Sequence, residues 1–153
     1  MGYYMRFMVC DNTEINLDEI EEQLHTLDAK YSFQRTAFEF EEVADIFYDS
    51  IAIGQIEINH DDDEIFEDDV AAFRDMVGEP KTAEESFVLS VLDTARYMIA
   101  IEALWEGIEA ENTLEKFDPL WVWLFANRHG ILQADNEGFY TANGLIVERK
   151  FML

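Results

Sequence analysis

The sequence has few of the residues that several common protein classes require. It contains one cysteine, Cys10, so it can form neither an intrachain disulfide nor a zinc site built from several cysteines. No apolar run approaches the roughly 18 residues of a membrane helix, and the first residues lack the apolar core of a secretion signal. We therefore expect a soluble protein of the cytoplasm.

Basic residues are also scarce. Ten Lys and Arg stand against 34 Asp and Glu among 153 residues, which gives a formal net charge of -24. A protein that grips nucleic acid or anionic lipid needs clustered basic residues, so both functions are disfavoured. The acidity is uneven, because residues 1–80 carry a net charge of -18 and residues 81–153 only -6.

Apolar residues are nevertheless abundant. They make up 49% of the chain, and aromatic residues alone make up 14%. A chain of this composition buries a sizeable core, so its charge does not predict disorder. We expect one domain covering residues 1–153, with a subdivision near 78–82 as the alternative.

Apolar periodicity predicts an alternation of strands and helices. Three helix starts carry a capping-box pattern: Asn16 with Glu19, Thr82 with Glu85, and Asn112 with Glu115. A fourth start is indicated by Asp118 as the N-cap residue with Pro119 behind it. The predicted strands cover residues 3–9, 31–35 (with Phe38 and Phe40 as a continuation), 44–49, 51–58, 97–101, 131–134, 139–141 and 145–151.

Residues 96–105 fit two structures. Their apolar density suits either a helix continuing from Thr82 or a buried strand, and the strand is favoured because the helix would be long for a domain of this size. The resulting order predicts an α+β fold, with four to five helices on one face of a mainly antiparallel sheet. A β-α-β-β pattern recurs, so the chain could consist of two similar halves.

The densest acidic segment begins with Asp61, Asp62 and Asp63. It does not match a calcium loop, because apolar residues occupy the positions of a ligand and of the required glycine. The simplest interpretation is a solvated helix start. The alternative is a recognition surface for a basic partner.

The segment 118–130 contains the second candidate set. Trp121 and Phe125 share one helix face with Arg128, and His129 follows. This face either packs in the core or anchors a partner protein, since Trp and Arg are frequent interface anchors. A pocket for a small ligand is the third interpretation.

No pattern of catalytic residues, metal ligands or cofactor-binding residues stands out. We therefore predict a non-catalytic protein that works through protein–protein contacts, either as a homodimer or with another protein. Two alternatives remain open. One is an acidic DNA mimic that inhibits a nucleic-acid-binding protein, and the other is a small enzyme that depends on carboxylates or a metal.

Overall fold

A computed structural model describes residues 3–35, 42–104 and 110–150. The strands are β1 (Tyr3–Val9), β2 (Tyr31–Arg35), β3 (Val43–Tyr48), β4 (Ile51–His60), β5 (Tyr97–Ala103), β6 (Gly130–Ala134), β7 (Gly138–Thr141) and β8 (Gly144–Glu148). Four helices of ten residues or more are α1 (Leu17–Leu27), α2 (Glu64–Val77), α3 (Ala83–Thr94) and α5 (Asp118–Asn127), and α4 (Ala110–Glu115) is shorter. The predicted continuation at Phe38 and Phe40 lies outside the described residues.

The eight strands form one antiparallel sheet in the order β2-β3-β4-β5-β1-β6-β7-β8. The α+β prediction is therefore confirmed at this level. The segment 97–103 is a strand, and it lies at the centre of the sheet between β4 and β1. Its consecutive apolar residues follow from this position, because both of its faces are covered.

Helices lie on both faces of the sheet, so the expectation of one covered face was wrong. On β1, Phe7 points into a core shared with α1 and α5, whereas the next residue, Met8, points into a core shared with α2 and α3. Alternate residues of a strand face opposite sides, so this switch within two residues separates two layers of helices. Two cores make the central strands almost wholly apolar.

Two of the capping predictions are confirmed. The Asn16 side chain accepts a hydrogen bond from the backbone N–H of Glu19 at 2.9 Å, and Thr82 does the same for Glu85 at 3.0 Å. The third was wrong, because Asn112 lies inside α4 rather than before it. The start of α5 is also displaced by one residue, since Phe117 rather than Asp118 is the N-cap residue.

A bulge interrupts β4 where its apolar alternation shifts. Ile46 pairs with Gly54 and Phe47 with Ala52, so Ile53 has no partner on β3. A Cβ atom on Gly54 would lie 2.7 Å from the backbone carbonyl oxygen of Glu102 on β5 and 2.9 Å from the buried ring of Phe117. Glycine is therefore needed both for the close approach of β5 and for the packing of Phe117 on the sheet.

The two halves share only a rough plan. Each supplies one central strand, β1 or β5, and one three-stranded meander, β2–β4 or β6–β8. The meanders attach differently. In the first meander the last strand, β4, pairs with the central strand β5, whereas in the second meander the first strand, β6, pairs with the central strand β1. The halves are thus not related by a simple repeat.

Candidate functional site

Helix α5 places the aromatic residues that the sequence singled out. Trp121 is only 6% exposed, and its ring stacks on Phe7 with an interplanar angle of 8°. Phe125 is partly buried and meets Phe7 edge-on, with 4.9 Å between the ring centroids. These two rings pack α5 on the sheet, so a partner would meet a different face of the helix.

The outer face of α5 is formed instead by residues 119, 122 and 126. Val122 is 69% exposed, and beside it Leu27, at the end of α1, is 61% exposed. Together with Trp123 they line a shallow groove of about 570 Å³, called here the α5 groove. Its lining comprises Leu27, Glu115, Asp118, Pro119, Val122, Trp123 and Ala126.

The described charges at the α5 groove are mainly negative. Two carboxylates, Glu115 and Asp118, line it, and none of its described lining residues is basic. Partial desolvation raises the pKa of Asp118, and the nearby charge of Glu115 raises it further. The guanidinium of Arg128 stands over the ring of Trp123, 5.8 Å from its centroid. The groove is therefore apolar at its floor and acidic at one end.

Of the three aspartates that begin the acidic segment, Asp63 has a structural role. Asp63 is the N-cap residue of α2, and its carboxylate accepts a hydrogen bond from the backbone N–H of His60 at 3.0 Å. Asp61 and Asp62 are exposed. The side chain of Asp63 is thus engaged within its own turn, and two of the three carboxylates face solvent.

The two predicted sets of residues meet at one end of the sheet. Arg128 donates a hydrogen bond from Nε to the hydroxyl of Tyr97 at 3.2 Å, and Tyr97 lines a crevice of about 180 Å³ together with Asp61 and His60. The neighbouring His129 donates its backbone N–H to Asp11 at 2.7 Å. The crevice contains both signs of charge, so its chemistry does not select a class of ligand.

Sequence reasoning missed Val122 and Leu27. Residues 119–126 contain no polar side chain, so whichever face of α5 points outward must be apolar. That signal was present, but the choice of outward face depends on how α5 is rotated on the sheet. The rings of Trp121 and Phe125 bury more area than Val122, and they occupy the inner side.

No helix in the described part of the chain is long and apolar enough to span a bilayer. Among the same residues, no group of three or more His, Cys, Asp or Glu side chains is placed to hold a metal ion.

No protein-family model, curated protein or solved structure matches this chain.

Proposed function

We propose that this protein is a non-catalytic binding protein that takes a partner protein at the α5 groove. The exposure of Val122 and Leu27 supports the proposal most directly. An apolar groove on a chain with a net charge of -24 costs solvation free energy unless a partner covers it. Large exposed apolar patches on otherwise polar surfaces are typical of interaction sites.

The proposed partner presents an apolar helix face flanked by Lys or Arg. Apolar side chains would cover Val122 and Leu27, and basic side chains would meet Glu115 and Asp118 at the end of the groove. Electrostatic complementarity of this kind speeds association and excludes acidic competitors. The same charges oppose self-association, because a second copy would bring further carboxylates to the groove.

The test uses a synthetic amphipathic helix of Leu and Lys as the probe, with fluorescence anisotropy of the labelled peptide as the readout. We expect the wild type to bind it and Val122→Asp to bind it at least about tenfold more weakly, since an acidic side chain disrupts the apolar floor. The matched control is Ile65→Asp on α2, at a side chain that is 54% exposed. We expect this control to bind like the wild type.

The substitution separates docking from unspecific attraction. Val122→Asp adds a negative charge, so a purely electrostatic interaction with a basic peptide would become tighter. Tighter or unchanged binding by this variant would overturn the proposal. The homodimer expected from the sequence stays a prediction, and light scattering tests it. A dimer that Val122→Asp dissociates would identify a second copy as the occupant of the groove and also overturn the proposal.

A further inference from the structure

A second cavity lies on the inner side of α5. Its volume is about 230 Å³, and it is called here the tyrosine cavity. Its lining includes two carboxylates, Glu137 and Asp118, and three aromatic side chains, Tyr3, Trp121 and Tyr140, and apolar side chains of β1, α4 and β6 form the remaining walls. We propose that the tyrosine cavity binds a small organic ammonium ion.

The charges of the lining select a cation. Glu137 accepts hydrogen bonds from the hydroxyls of both Tyr3 and Tyr140, so its carboxylate is held in place beside the cavity. Asp118 supplies a second carboxylate, and none of the described lining residues is basic. An anion would therefore meet only like charge, whereas a cation would be attracted by both carboxylates.

The aromatic residues favour an organic cation over a metal ion. Three aromatic side chains, Tyr3, Trp121 and Tyr140, line the cavity. Aromatic rings bind organic ammonium ions through their negative faces, and clusters of such rings with a carboxylate recognise methylated amines. The described lining also lacks a group of three or more His, Cys, Asp or Glu side chains placed to hold a metal ion.

Burial keeps the two tyrosines neutral. Desolvation, followed by the hydrogen bond to Glu137, raises the pKa of Tyr140 to about 12 and also raises the pKa of Tyr3 above its usual value. Both hydroxyls therefore keep their protons and continue to orient Glu137 at neutral pH.

Isothermal titration calorimetry with choline tests the proposal. We expect choline to bind the wild type, and its neutral isostere 3,3-dimethylbutan-1-ol to bind at least about tenfold more weakly, because the isostere lacks the charge. Glu137→Gln should weaken choline binding at least about tenfold, because it removes a charge that attracts the cation, whereas Glu67→Gln, on the exposed face of α2, should leave it unchanged. Circular dichroism checks that both variants fold.

Equal binding of choline and its neutral isostere by the wild type, or no binding of either, would overturn the proposal as a whole without any variant. Neither result bears on the α5 groove, which is tested by a peptide.

Discussion

At the scale of single residues, backbone strain is concentrated in the hairpin between β3 and β4. Tyr48 pairs with Ile51, so Asp49 and Ser50 form a two-residue turn, and their φ angles are 52° and 68°. Such turns require positive φ at both positions, and Asp-Gly is a favoured pair. Ser50 adopts this conformation at a cost that glycine would not incur.

Ser50→Gly should therefore stabilise the protein. The expected gain is about 1 kcal/mol in the free energy of unfolding, since a non-glycine residue in this conformation costs roughly 1–2 kcal/mol and glycine loses more entropy on folding. Urea denaturation measures it. Gly138→Ala should instead destabilise the protein, because the φ angle of Gly138 is 134° and a Cβ atom there would lie 2.0 Å from the carbonyl oxygen of Val147. A loss of stability in Ser50→Gly would contradict the turn geometry.

A second residue-scale prediction concerns Asp69. Burial raises the pKa of its carboxyl, and the ion pair with Arg6 at 3.2 Å opposes this increase only in part. The folded state therefore holds the proton more tightly than the unfolded state, and this group contributes more stability as the pH falls from neutral towards the aspartate range.

Comparison with Asp69→Asn isolates this contribution. The wild type should gain stability relative to the variant when denaturation is repeated from pH 7 down to pH 5, because only the wild type takes up the proton. The exposed Asp68→Asn variant corrects for the change in net charge. If the wild type instead lost stability relative to Asp69→Asn over this range, the pKa of Asp69 would be lowered rather than raised.

At the scale of elements, Thr82 holds the start of α3. Its hydroxyl accepts the N–H of Glu85, and the Glu85 carboxylate accepts the N–H of Lys81 at 2.9 Å. Glu85 also pairs with Arg149, which donates from Nε to the carbonyl of Met76 at the end of α2. The contacts around Thr82 and Glu85 therefore connect the start of α3 and the end of α2 to Arg149, which follows β8.

Thr82→Ala should lower the free energy of unfolding by about 1 kcal/mol, because the N–H of Glu85 loses its partner. Thr82→Ser keeps the hydroxyl and should restore most of the loss. Thermal or urea unfolding measures both variants. Equal losses in Ala and Ser would show that the methyl group of Thr82, rather than the cap, carries the effect.

Elements with their own local signal could be predicted from the sequence. The capped starts at Asn16 and Thr82 belong to this group, because their physical cause lies within a few residues. The apolar run of β5 fitted both a strand and a helix, and the strand was favoured only because the alternative helix would have been long. The N-cap prediction at Asn112 was wrong because a suitable capping pair does not by itself decide where a helix begins. The layer on which each helix packs was also beyond reach, since it depends on contacts between distant strands.

The candidate site shows the same division. The composition of α5 left burial in the core, a partner interface and a ligand pocket as alternatives, and its outward face follows from the packing of Trp121 and Phe125 against Phe7. The tyrosine cavity could not be predicted, because Tyr3 and Glu137 are separated by 134 positions along the chain. Only the pairing of β1 with β6 brings them together.

At the scale of the whole molecule, repulsion among the carboxylates opposes folding. A net charge of -24 on a chain of this length makes the compact state sensitive to ionic strength. Exposed charges are screened over a Debye length of about 10 Å at 0.1 M salt. The melting temperature should therefore rise between about 20 mM and about 500 mM sodium chloride. A fall would mean that ion pairs such as Arg6–Asp69 outweigh the repulsion.

The charge and the α5 groove together define the proposed function. Most of the acidity lies in residues 1–80, whereas α5 belongs to the less acidic part of the chain and exposes apolar side chains. A basic partner would be attracted over a distance by the whole molecule and held by the groove. The first effect is sensitive to salt, and the second depends on apolar contact.

Chemical-shift mapping tests this account most directly. The Leu–Lys peptide is titrated into ¹⁵N-labelled protein, and the perturbed amide resonances are assigned to positions in the chain. The account predicts that the largest changes cluster at Leu27 and along α5, around Val122 and Trp123, and that they persist in moderate salt. Changes centred on the acidic start of α2, at Asp61 and Asp62, with α5 unperturbed, would contradict it.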